Sequence, residues 1–152
     1  MNPTTRYRAR LTFDERTKSR LLLRLDNGEQ VALIVERGRL LRGGEQVQLV
    51  DGRYVEIVAL DEPLLEAISG DPQLIARVAY HLGNRHVAVQ FMKGGLRFLA
   101  DHVLADMVAG LGLKVTSFNA PFEPEGGAYG HHHAHGSDQP PVAPKIHSYS
   151  SP

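Results

Sequence analysis

Between Leu64 and Phe118 two helix patterns stand among short strand patterns, and their order leaves few folds open. Asp71-Pro72 reads as a helix start, with Asp as N-cap and Pro at the first helical position. Leu74, Ile75, Val78, Ala79 and Leu82 then form one apolar stripe, and Gly83 supplies a C-terminal stop. Val87, Val89 and Phe91 alternate as a strand, Gly94-Gly95 turns the chain, and Leu96, Phe98 and Ala100 bring it back. Asp101 caps a second helix with Val103, Leu104, Met107, Val108 and Leu111 on one face, ending at Gly112. Leu113–Phe118 reads as a last strand. With Leu64–Ile68 as the first, the order is β-α-β-β-α-β, the ferredoxin-like split βαβ arrangement.

The first 60 residues have a different period. Tyr7, Ala9, Leu11 and Phe13 alternate with polar residues, and so do Leu21, Leu23 and Leu25. Asp26-Asn27-Gly28 separates the latter from Val31, Leu33 and Val35, which predicts a hairpin. Asp51-Gly52, between Val47–Val50 and Tyr54–Leu60, predicts a second. Short strands at this spacing, without a helical pattern, predict a small sandwich or open barrel. From Pro124 onward Pro, Gly, Ser and His dominate, with Val142 and Ile146 as the aliphatic anchors, too few to offset ordering entropy. The expectation is an α+β chain in three parts. Residues 1–62 form a β domain, 63–123 a ferredoxin-like domain, and 124–152 a disordered His-rich tail.

Composition removes several functions. Basic and acidic side chains number 17 each, so the chain is not built to hold nucleic acid through a basic surface. The balance hides an asymmetry: 11 basic against 8 acidic groups in residues 1–60, and 6 against 9 thereafter. Cysteine is absent, which excludes disulfides, thiolate zinc sites, iron–sulfur clusters and cysteine nucleophiles. No apolar run approaches the ~18 residues of a membrane span. The N-terminus carries charges where a signal peptide needs an apolar stretch, so the expected location is the cytoplasm. Neither GxxxxGK[ST] nor GxGxxG occurs, and no nucleophile–base pair is visible.

Histidine is the unusual residue: eight in all, five of them in the tail. His131, His132, His133 and His135 place four imidazoles within five residues, a tract that binds Ni(II), Cu(II), Zn(II) or Co(II) without needing a fold. A cloning tag would be terminal, whereas 17 further residues follow this tract. His86 opens the strand Val87–Met92 and points with Ala88, Gln90 and Met92, where spacing alone favours an ordinary polar residue. His81 shares the apolar side of the first helix and lies in its last turn, a structural position. His102 follows the cap Asp101, where the helix dipole keeps imidazole neutral and able to take metal; Asp106 lies on the same face, giving a weak two-ligand surface site. His147 stands alone in the tail. A metallohydrolase built on His81, His86 and Asp101 has no supporting spacing.

Three blocks, Tyr80–His86 (YHLGNRH), Asp101–Leu104 (DHVL) and Pro121–Tyr129 (PFEPEGGAY), resemble the signature of the urease accessory protein family UreE. The resemblance covers nearly the whole chain and implies a nickel metallochaperone, not an enzyme. By that resemblance the N-terminal β domain is similar to a chaperone peptide-binding module. The ferredoxin-like domain joins two copies into a homodimer, and His86 binds nickel at the dimer axis with its symmetry mate. His102 matches a peripheral site that in some members draws a second histidine from the preceding strand, where this chain has Leu99-Ala100. His147 matches by position a tail histidine that completes the central site in some members.

The family reading implies delivery of Ni(II) to the urease accessory GTPase and then to the apo-urease complex. The alternative is a cytosolic Ni, Zn or Cu buffer carrying a peptide-binding domain. A two-fold axis suits the first, because it supplies two imidazoles from one position. Tail histidines or water can fill the remaining positions of Ni(II). A flexible segment from Phe122 to His147 averages roughly 25–30 Å end to end, enough to return to a small dimer's axis. Cu(II) outcompetes Ni(II) at such a site, so nickel identity rests on supply and partners.

Overall fold

The computed structural model describes residues 7–127. The tail histidines His131, His132, His133, His135 and His147 lie outside the described residues. Twelve elements run in order: β1 (Tyr7–Leu11), α1 (Phe13–Thr17), β2 (Arg20–Arg24), β3 (Gln30–Ile34), β4 (Gln46–Gln48), β5 (Tyr54–Ala59), β6 (Asp61–Ile68), α2 (Pro72–Asn84), β7 (Gln90–Met92), β8 (Gly95–Leu99), α3 (His102–Gly110) and β9 (Lys114–Pro121).

The first half is all but entirely β. Its sheets have the orders β1-β5-β4 and β2-β3, linked by a bridge between Ala9 and Leu25. Period-two patterning explains the packing: Ala9, Leu11, Leu23, Val31, Leu33, Val55 and Ile57 turn inward to one cluster, and their neighbours face solvent. Both hairpin turns form, with Gly28 and Gly52 at positive φ of 87° and 91°. The alternation through Phe13 does not continue as strand. Thr12 ends β1 and opens α1 with a capping box: its Oγ1 accepts the Glu15 N–H at 3.2 Å, and the Glu15 carboxylate accepts the Thr12 N–H at 2.8 Å.

The second half has the expected βαββαβ order. Its sheet runs β7-β8-β6-β9 with every neighbour antiparallel, so each helix crosses over one intervening strand. Leu65, Ala67, Leu96 and Phe98 face the helices, which contribute Val78, Leu82 and Val108 to a second cluster. The Asp caps act as the sequence predicts. Asp71 accepts the Gln73 N–H and Asp101 the Leu104 N–H, each at 2.9 Å. The strand expected over Val87–Met92 is shorter. Residues 87–89 are irregular and the ladder holds only Gln90–Met92, because the Val87 N–H turns back to the Leu82 carbonyl at 3.0 Å.

One glycine of the sheet has no substitute. A Cβ on Gly95 would stand 2.4 Å from the Ala67 carbonyl oxygen and 2.9 Å from Ile68 Cγ2. Backbone is on the other side of that contact, so nothing flexible can yield. Gly95→Ala is expected to destabilise the protein by about 3 kcal/mol or to prevent folding, read by chemical denaturation.

Candidate metal centre

α2 extends one residue past Gly83, to Asn84, and Arg85 is its C-cap. His86 follows with φ of 56°, the non-glycine residue of left-handed backbone among the described residues. The Arg85 and His86 N–H groups reach the Leu82 and Gly83 carbonyls at 3.1 and 3.0 Å, and the Val87 N–H reaches Leu82 at 3.0 Å. The last two bonds make a Schellman close, whose left-handed position is usually glycine. Here it holds an exposed histidine. The expectation of a strand start at His86 is therefore corrected: the residue is a helix cap, and helix geometry rather than sheet parity aims its ring. A non-glycine residue in this conformation costs roughly 1 kcal/mol, a cost tolerated where another requirement fixes the side chain.

His86 is exposed, and large apolar side chains near it in the chain are exposed too. Tyr80 and Phe91, within six positions of it in the chain, are 66% and 52% exposed. Phe91 pairs with Leu96 across the β7–β8 ladder, which places it on the helix side of the sheet. His81, half-buried in the last turn of α2, stacks edge-on against Tyr80 with ring centroids 5.4 Å apart. His102 is the first residue of α3 and is exposed, as is Asp106 on the next turn. Among the described residues no three His, Asp or Glu side chains gather closely enough to hold a metal ion. His81, His86 and His102 are thus not brought together within one copy.

Sequence reasoning missed the seam beside this loop. Arg16 of α1 is fully buried. Its guanidinium donates to the Leu41 carbonyl at 3.1 Å, to the Phe122 carbonyl, and to Glu123 Oε1 at 3.2 Å. Burial lowers the Arg16 pKa, against the pull of Glu123 and Glu62, which raises it. Arg42 and the Gly43 N–H also reach the Glu123 carboxylate, at 3.1 and 2.9 Å. Phe13 packs edge-on against buried Phe122, centroids 5.1 Å apart, and its N–H donates to Glu62 at 2.8 Å. A cleft of about 630 Å³ opens beside the seam, lined among others by Phe13, Arg37, Arg42, Ala88 and Gly127. The T-x-x-E capping signal at Thr12–Glu15 could have revealed α1; nothing local marks Arg16 as buried.

A β module fastened to a ferredoxin-like module presents one exposed imidazole at a helix cap, with no cluster of three metal-ligating side chains among the described residues. Sequence models of the UreE urease accessory protein match the chain twice, the N-terminal domain over residues 2–60 and the C-terminal domain over 62–149. The chain belongs to the UreE urease accessory protein family. A urease accessory protein UreE of Dechloromonas aromatica (strain RCB) is 51% identical over 133 residues, covering 84% of this chain and 76% of that protein. One from Pseudomonas putida (strain GB-1) is 53% identical over 120 residues, 78% of this chain and 73% of the relative. The Cupriavidus necator protein is 49% identical over 128 residues, 84% and 67% respectively. The family places the chain in urease maturation and makes it a non-enzyme.

Proposed function

We propose that this protein is a nickel metallochaperone that hands Ni(II) to the urease accessory GTPase and on to apo-urease. The observation that carries the reading is the exposed imidazole of His86 at a left-handed helix cap. One imidazole cannot retain a divalent ion, and no further ligand cluster stands around it among the described residues. Two copies related by a two-fold axis supply His86 twice, and exposed Tyr80 and Phe91 offer apolar area for such a contact. A site assembled this way stays open, so the ion can be passed on without unfolding.

In this reading the tail completes or supplements the pair. His147 is the candidate for the central ion, while His131, His132, His133 and His135 take further, weaker ions. His102 with Asp106 adds a peripheral site of low affinity. Zn(II) and Cu(II) are competing cargoes, because imidazole does not discriminate in favour of nickel. The cytoplasm is the proposed compartment, and no helix of the described residues is long and apolar enough to cross a membrane.

Calorimetric nickel titration tests this, run on the full chain and on a chain ending at Tyr129, with sedimentation of both. The full chain is expected to be a dimer without metal. Truncation is expected to lower the number of ions per dimer and leave one tight ion. Loss of all nickel binding on truncation, or a metal-free monomer at micromolar concentration, would overturn the reading. A protein that only buffers metal would instead saturate through residues 131–135 and ignore the GTPase.

A further inference from the structure

We propose that Glu123 is a positioning residue for the His86 site, through which the β module holds the metal loop in place. The inference rests on the His86 reading given above. The loop from His86 to Val89 is pinned at its start by the Schellman bonds of α2. Its far end meets β7, an edge strand that pairs with β8 alone. On the open side of β7 the segment Phe122–Glu125 takes over. The Glu125 N–H donates to the Val89 carbonyl at 2.8 Å, and the Glu123 N–H donates to Gln90 Oε1 at 3.1 Å. Val89 is three residues from His86.

That segment is anchored to the β module by the Glu123 side chain. Its two carboxylate oxygens divide between Arg16 and Gly43 on one side and Arg42 on the other. The fit is close: a Cβ on Gly43 would stand 3.2 Å from Oε1. Arg16 adds its bond to the Phe122 carbonyl, one residue away. Glu123 thus grips the β module by its carboxylate and the Gln90 side chain at the head of β7 by its backbone N–H, while Glu125, two residues on, holds the end of the metal loop at Val89. A rigid loop keeps both imidazoles of a dimer aimed at one point, and a loosened loop costs affinity without removing a ligand.

The test is nickel titration of full-length dimers. Glu123→Gln removes the charge that holds Arg16 and Arg42. Gln90→Leu cuts the link from the other end, leaves every charge in place, and decides the matter if Glu123→Gln fails to fold. Each is expected to weaken the tight ion about fivefold while the number of ions per dimer stays the same. Glu29→Gln serves as the structural control. It breaks the fork by which Arg53 holds Glu29, at 2.7 and 2.9 Å, away from the seam, and is expected to leave nickel affinity unchanged. Wild-type affinity in Gln90→Leu or in folded Glu123→Gln, with His86→Ala losing the tight ion, overturns this inference alone. An equal loss in Glu29→Gln also overturns it, since general loosening would then suffice. Retention of the tight ion by His86→Ala overturns the carrier reading itself.

Discussion

His86→Gly is expected to make the protein more stable and a worse nickel binder. Glycine meets no Cβ penalty at φ of 56°, so the Schellman close at the end of α2 relaxes by roughly 1 kcal/mol. The same change removes one imidazole from each copy, and a dimer-shared ion loses two ligands together. Nickel affinity at the tight site is expected to fall by about two orders of magnitude or more, while the tail histidines continue to bind weaker ions. His86→Ala keeps the backbone cost and loses the same ligands, so it binds nickel as poorly and melts no higher than the parent. Thermal melting beside nickel titration of both variants separates the effects. If His86→Gly melts no higher than His86→Ala, the left-handed cap is not under load, and the functional reading of its histidine loses its physical support.

The second large effect belongs to Arg16. Arg16→Ala strips a donor from two carbonyls, Leu41 and Phe122, and leaves the Glu123 carboxylate without its buried partner. Removing one member of a buried charged network costs about 3 kcal/mol or more, and the missing side chain adds a void. Urea denaturation is expected to show that loss, with the midpoint falling and the fold otherwise retained. Glu123→Gln should cost less, because its carboxylate is partly exposed and the amide oxygen can still accept. A double substitution tells the rest: the two losses should fall short of additive, since both act on one network. Strict additivity would mean that Arg16 is held by packing alone.

What could be read in advance was what is local in the chain. Asp71 and Asp101 lie within three residues of the N–H groups they accept, and both helices start where those residues say. The period-two runs found most of the β-strands because one side of each is buried against a shared core. Gly83 misled for an equally local reason. It is the better candidate for a left-handed cap, yet it remains helical and the cap falls on His86. Thr12 and Glu15 carried a helix signal that the alternation of Tyr7, Ala9, Leu11 and Phe13 outweighed. Arg16 was beyond such reasoning, because its partners stand 25, 106 and 107 positions away. The candidate site was legible as a residue, through the YHLGNRH block, but not as a geometry. The sequence places His86 next to a strand, and only the hydrogen bonds of the helix end show what aims it.

Between β5, which ends at Ala59, and β6, which begins at Asp61, there is a single residue. Leu60 is itself fixed, its N–H bound to the Leu11 carbonyl at 2.9 Å. The two halves of the chain therefore meet without slack, although family recognition divides them at this point. Module exchange between relatives is constrained accordingly. A chimaera crossed over at residue 60 takes Arg16 and Arg42 from one parent and Glu123 from the other. It is expected to inherit a working junction only where the parents agree at all three positions.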